Sequence, residues 1–254
     1  MPLEWIQEIP PVTRAWTAAI TVVSILEQCK IVNELDLLYS YKQVFVGHEY
    51  WRLLTSFVYF GPFSINLIMY AYFVARYSRM LEESFYLNRA SQYMWLIVVI
   101  ATSIVVLASF LPLGALPFLG PYLANALVYI WARRNPQEQL SLMGLFAFSA
   151  PYLPWVLMLF SAVVKSSSIK GELLGVFVGH MVFFLEDIYP SISGGVRVLR
   201  PPWEYFMQAQ EPPTPTQEDY QQPQVVEWFT LNYLKRHFLI SYRWMSRRIC
   251  EYQK

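Results

Sequence analysis

Charge is scarce in this chain. Only 15% of its 254 residues are Asp, Glu, Lys or Arg, against about 25% in an ordinary soluble domain. The 19 basic and 18 acidic residues gather in short windows, and 56% of the chain is hydrophobic. Long apolar runs between charged windows exclude a simple water-facing surface and fit a multi-span membrane protein. The net charge of +1 provides no basic footprint for DNA or RNA, so no nucleic acid is expected as a partner. Cysteine is nearly absent. Cys29 and Cys250 fall on opposite membrane sides in the topology below, which argues against a disulfide, and their spacing suits no metal. There is no Gly-rich phosphate loop, so no ATP site is expected, and the reading carries no cofactor and no metal. No Asn-x-Ser/Thr sequon occurs. The start, "MPLEWIQEIPPVTRAW", lacks a basic n-region and a cleavage site, so the first span is expected to act as the insertion signal.

What is present reads as six spans, at about 15–32, 62–80, 92–111, 121–132, 144–164 and 171–188. Glu27 and Lys30 interrupt the end of the first. The stretch from Asn33 to Phe63 mixes charges with Tyr39, Tyr41, Phe45, Tyr50, Trp51, Phe57, Tyr59 and Phe60. Aromatics among polar groups suit the water–lipid boundary, so this segment is expected to dip into the membrane face. The fourth span is short, and the fifth holds Pro151 and Pro154, which predict a kinked helix.

Basic residues set the orientation. Arg14, Arg76, Arg79, Arg89, Arg133, Arg134, Arg197, Arg200 and the basic tail fall on one side, which places both termini in the cytosol. The domains expected are a cytosolic N-terminus over 1–14, a six-span membrane domain over 15–190, a linker over 191–224 and a basic C-terminal helix over 225–254. The linker includes "EPPTPTQEDYQQPQ", an extended or disordered composition. In the tail, Trp228, Leu231, Leu234, Phe238, Tyr242, Met245 and Ile249 recur at helical spacing. From Tyr233 onward six basic residues accompany one acidic residue. An anionic leaflet, the protein's own cytosolic face and a neighbouring protein all fit that pattern.

Several constellations invite a functional reading. Gly171, Gly175 and Gly179 lie on one stripe of the sixth span, where missing side chains let helices approach closely. His180 adjoins the stripe. As a general base it needs a nucleophile in reach. No Gly-x-Ser-Gly string exists, and "GPYLANALVYIW" (120–131), where that nucleophile would be expected, contains no serine. The imidazole is therefore expected to bond a helix neighbour. Arg52 is placed to bond backbone carbonyls and hold the aromatic loop, with Trp51 at headgroup depth. In "RYSRMLEE", Arg76, Arg79, Glu82 and Glu83 form a span-end cluster, expected to be mostly solvated, with Arg79 at pairing distance from Glu82 or Glu83. Asn66 and Tyr70 on the second span, with Pro151 and Pro154 on the fifth, are candidates for a lateral gate and wet cavity.

Taken in order, "IPPVTRAW", "WRLLTSFVYFGP", "RYSRMLEE", "VYIWARRNP", "APYLPWVLM" and "GVFVGHMVFFLEDIYP" resemble the Derlin family of rhomboid-like pseudoproteases, over about residues 1–200. The resemblance implies an all-α membrane protein, a six-helix rhomboid-like bundle with an interfacial loop after the first span. It implies the endoplasmic reticulum membrane and a non-enzymatic role in moving misfolded proteins to the cytosol for degradation. Trp51-Arg52 would be the family's loop motif, and Gly175 and Gly179 its packing motif. The implied partners are the lipid bilayer, misfolded substrates, a ubiquitin ligase complex, an AAA unfoldase and a second copy or a different protein in an oligomer. Many Derlins end in a Gly-containing segment that binds the unfoldase. No glycine follows Gly195 here, so recruitment through that motif is not expected. The rival functions are an intramembrane serine protease, a scaffold that only gathers partners and a small-solute transporter. The last is disfavoured because no clear inverted repeats or charged midplane site is present.

Overall fold

The structure is a computed structural model that describes residues 9–87, 89–110, 116–142, 146–164 and 168–204. The side chain of Asn66 and the expected C-terminal helix over 225–254 lie outside the described residues. The chain forms two compact units, Met1–Glu186 and Asp187–Lys254.

The first unit is mostly helical. Helix α1, Pro11–Gln28, begins with proline at its first position, where a missing N–H costs no intrahelical bond. The stretch expected at the water–lipid boundary has regular structure. It holds α2 (Glu34–Leu37), a π-turn at Lys42–Val46 and α3 (Trp51–Val58). Two backbone bonds fasten it to the segment before the central helix. Tyr39 N–H donates to the Pro117 carbonyl at 2.8 Å, and Leu119 N–H donates to that of Ser56 at 2.9 Å. Helix α4 (Ile65–Phe85) is capped by the Ser64 side chain, which accepts from Leu67 N–H. Helix α5 (Ala90–Phe110) follows. Helix α6 (Gly120–Arg134) is buried along its length except at Arg133. It is the post around which the others pack.

The expected fifth span is corrected at its start. The chain instead forms two antiparallel paired strands, β1 (Gln139–Leu142) and β2 (Phe146–Ser149), with Gln139 opposite Ser149 and Leu140 opposite Phe148. A 3-10 turn at Ala150–Tyr152 leads into α7 (Leu153–Val164). Pro151 lies in that turn and Pro154 is the second residue of α7. Neither kinks a helix. Proline is tolerated in a first turn because its N–H would have no partner there. The strand signal was the alternation in "FAFS".

Helix α8 (Ile169–Phe183) continues into a π-turn at Phe184–Ile188. Its most extensive contact is with α6, and the two run parallel. Tyr122 faces Gly171 and Gly175, Ala126 faces Gly179, and Arg134 meets Glu186. Helices α1 and α4 are antiparallel, since Thr13 meets Glu82. Ile20, Val58, Phe60, Leu67, Val74 and Ala124 form a core shared by α1, α3, α4 and α6.

The outward faces are apolar. Met94, Val98, Val106 and Phe110 project from α5, and Ile169, Leu173, Phe177 and Met181 from α8. Stripes this continuous exceed what a water-facing monomer tolerates and suit lipid. Among the described residues two helices, Ala90–Phe110 and Ile169–Ile192, are long and apolar enough to cross a membrane. The remaining four of the expected spans fall short of that measure. Helices α1 and α4 are long but less apolar. Helices α6 and α7, of 15 and 12 residues, reach roughly 22 and 18 Å at 1.5 Å per residue.

In the second unit, α9 (Tyr189–Ile192) is a single turn. It stops where Gly194 and Gly195 take positive φ, with Gly195 N–H donating to the Pro190 carbonyl at 2.7 Å.

Candidate functional site

The glycine stripe of α8 lies against α6. A Cβ at Gly175 would stand 2.5 Å from the Tyr122 carbonyl oxygen, and one at Gly179 would stand 2.8 Å from that of Ala126. Both obstacles are backbone, which no rotamer change can move. At Gly171 the obstacle is the Tyr122 ring, 2.1 Å away. The stripe is thus a seam at which two helix backbones nearly touch.

His180 sits beside the seam on the more exposed side of α8. Its Nδ1 is 2.8 Å from the Tyr129 hydroxyl, with the two rings edge-on. Arg133 Nε donates to the same hydroxyl at 2.9 Å. The imidazole is engaged by a phenol of the neighbouring helix.

At the loop motif, Trp51 is exposed while Arg52 is buried. The Arg52 guanidinium donates to the Leu35 and Leu38 carbonyls at 2.6 and 3.4 Å. It also bonds the Glu49 carboxylate and lies 3.6 Å from Asp36. One planar, multi-donor head ties α2 to α3. Nearby, the buried Tyr59 phenol is held well above its usual pKa by desolvation, then by Glu34 and Glu27, so it stays neutral.

The span-end cluster divides. Arg79 pairs with Glu83 at 2.6 Å on the outer face, and Arg76 donates to the Tyr72 hydroxyl at 2.9 Å. Glu82 is not solvated, contrary to the expectation for this helix end. It is 3% exposed and accepts from Val12 N–H at 3.1 Å, Thr13 N–H at 2.9 Å and the Thr13 hydroxyl at 2.8 Å. The first N–H groups of a helix have no internal partner, and a carboxylate there also suits the helix dipole. Ser78, one turn before Glu82, hydrogen-bonds Thr13 and Tyr93 at 2.8 and 2.7 Å.

The gate candidates also divide. Tyr70 donates from its hydroxyl to Ser161 Oγ on α7 at 3.2 Å and to Glu172 Oε1 on α8 at 3.4 Å. Glu172 is 4% exposed. Pro151 and Pro154 lie at the opposite end of α7 from Ser161, so the structure does not bring them to Tyr70. Asn66 is on α4.

Two functional candidates escaped sequence reasoning. Arg134, read only as a topology charge, is buried. It lies 3.5 Å from Glu186, donates to the Tyr86 hydroxyl at 3.2 Å and stacks over the Phe85 ring. Tyr86 donates to Glu186 at 2.7 Å. Burial raises the Tyr86 pKa, with Arg134 opposing and Glu186 reinforcing, so the phenol keeps its proton and can donate. This group joins the ends of α4, α6 and α8. The second is Asn125, whose Nδ2 donates to the Glu172 carbonyl at 3.3 Å. A lone amide in the apolar run from Pro121 to Ala132 was its one sequence signal.

Comparison with known proteins agrees with the resemblance. A sequence model described as the Der1-like family matches residues 9–203. The chain is 34% identical over 216 residues to the probable derlin-2 homolog of Dictyostelium discoideum, covering 83% of this chain and 84% of that protein. It is 35% identical over 199 residues to Derlin-2.1 of Zea mays, covering 75% and 80%. It is 30% identical over 217 residues to Derlin-2.1 of Arabidopsis thaliana, covering 82% and 88%.

Proposed function

The chain belongs to the Der1-like family, that of the derlins, and from that premise we propose that it is a non-enzymatic component of endoplasmic-reticulum-associated degradation. It sits in the endoplasmic reticulum membrane as a rhomboid-like bundle of six spans, with both termini in the cytosol. It helps misfolded lumenal and membrane proteins return to the cytosol.

The observation that carries the mechanism is the shortness of α6 and α7, with 15 and 12 residues. A bilayer core is about 30 Å thick. Short spans are accommodated by thinning the bilayer around them. Thinning shortens the path over which a polar backbone would lack hydrogen-bond partners, at several kcal/mol per group. Helices α4 and α7 share no extensive contact among the described residues, which suits a lateral opening between the second and fifth spans. The pairing of Thr13 with Glu82, Tyr70 with Glu172, and Arg134 with Glu186 fits helices that alternate direction. A ubiquitin ligase complex selects substrates and an AAA unfoldase supplies energy, recruited indirectly. The engagement of His180 by Tyr129 favours a structural use of that histidine over a catalytic one.

The test is a chase of a misfolded lumenal substrate in cells depleted of this protein and rescued with it. Slowed clearance, restored by the wild type and by His180→Ala, is expected. Cleavage of a transmembrane substrate by the purified protein, lost in His180→Ala, would replace this reading with a protease.

A further inference from the structure

The outward stripe of α8 is apolar at Leu173, Phe177 and Met181, all exposed. His180 interrupts it as an exposed polar residue. On a membrane-facing surface such a group needs water or a polar partner from the lipid. The hydrogen bonds around it decide which nitrogen it presents. Arg133 Nε donates to the Tyr129 hydroxyl at 2.9 Å. That hydroxyl keeps its own proton to donate, and His180 Nδ1, at 2.8 Å, is the acceptor in reach. An imidazole that accepts at Nδ1 carries its proton on Nε2. His180 therefore presents an N–H donor across the ring from Tyr129. Arg133 adds a permanent positive charge on a planar set of N–H donors, held over the Tyr129 ring with Cζ 5.1 Å from the centroid. Tyr129, which anchors both groups, precedes the end of α6 at Arg134 by roughly 7 Å along the helix axis.

We infer that Arg133 and His180 Nε2 form a phosphate site on the outer face of the α6–α8 pair, and that it holds the phosphodiester of a phospholipid. The lipid comes from the leaflet at that end of α6, the cytosolic one in the topology proposed above. Both protein groups are donors, and one is a fixed cation, so the ligand must be an anion whose oxygens accept. A guanidinium meets phosphate oxygens through parallel N–H bonds and binds them more strongly than a neutral donor does. A neutral imidazole adds one directed bond without adding charge. Phe177 and Met181, exposed beside His180, offer acyl chains an apolar surface that a soluble phosphate would not use. This neighbourhood selects lipid over free phosphate as the source. The inference rests on the membrane placement and not on the degradation role, so its failure leaves that role standing.

The experiment is native mass spectrometry of the purified full-length protein in detergent. It is titrated with phosphatidylglycerol, with diacylglycerol of the same acyl chains, and with glycerophosphoglycerol, the headgroup without chains. Phosphatidylglycerol should bind, and the other two should bind roughly tenfold more weakly. Arg133→Gln and His180→Leu should each weaken phosphatidylglycerol about tenfold, the size expected for a hydrogen bond to a charged group. His180→Gln places an amide donor near the Nε2 position and should stay within about twofold of the wild type. Rescue by glutamine of what leucine loses is not expected of a histidine that only packs. Thermal unfolding of each variant in the same detergent separates lost binding from lost fold. Equal affinity for diacylglycerol, or wild-type affinity in both Arg133→Gln and His180→Leu, would overturn the site. Equal weakening by His180→Gln and His180→Leu would overturn the Nε2 donor. Equal affinity for glycerophosphoglycerol would overturn the lipid source.

Discussion

Gly179→Leu should disable this protein far more than His180→Ala, although the two positions are adjacent. A Cβ at Gly179 would lie 2.8 Å from the Ala126 carbonyl oxygen and 3.0 Å from its Cα. Ordinary contact begins near 3.4 Å, so the helices must part by about 0.6 Å for alanine alone. Helix α6 is buried along nearly its whole length and has nowhere to retreat. Overpacking of this kind costs about 1–3 kcal/mol. Replacing a helical glycine by alanine returns roughly 0.5–1 kcal/mol, so Gly179→Ala should lose about 0–2.5 kcal/mol net. Leucine adds three carbons in the same direction and should lose well over 3 kcal/mol, or unseat α8. His180→Ala removes one hydrogen bond at a partly exposed position, about 1 kcal/mol, and Arg133 still holds the Tyr129 hydroxyl. Thermal unfolding in detergent and a substrate-clearance chase measure both effects. Gly179→Leu is expected to do more damage than either Gly179→Ala or His180→Ala. Wild-type stability and clearance for Gly179→Leu would refute the seam argument, as would greater damage from His180→Ala.

Other substitutions probe the buried polar groups. Glu82→Ala leaves the Val12 and Thr13 N–H groups without their carboxylate and should cost roughly 3 kcal/mol, with Glu82→Gln milder, as read by thermal unfolding. Arg52→Lys should loosen the interfacial segment nearly as much as Arg52→Ala, because an ammonium cannot reach two carbonyls and two carboxylates at once; limited proteolysis between residues 34 and 58 would report it. A double-mutant cycle with Arg134→Met and Glu186→Gln should give a coupling of about 1–3 kcal/mol. A coupling near zero would mean that the pair does not hold the ends of α6 and α8 together.

Sequence reading succeeded where the physics is local. The glycine stripe follows from spacing alone, and the structure sets it against Tyr122 and Ala126. Arg52 was expected on backbone carbonyls and reaches those of Leu35 and Leu38. Arg79 and Glu83 pair one helical turn apart. It failed where a partner is distant. Glu82 looked solvated because its neighbours are charged, yet its partner, the α1 N-terminus, is 69 residues away. Arg134 was counted only as a membrane-flanking charge, since nothing in its local string says that it meets Glu186. The paired strands Gln139–Leu142 and Phe146–Ser149 were hidden in a hydrophobic run, where an average over many residues cannot separate alternation from a helical span.

The most direct test of the account is where a substrate touches the protein during transit. Single photocrosslinkers at Ile68 on α4 and Trp155 on α7 would be compared with one at Val98 on α5, all exposed positions. With a substrate arrested midway, the account predicts strong adducts at Ile68 and Trp155 and weak ones at Val98. Equal labelling at all three, or labelling confined to Val98, would contradict entry between α4 and α7.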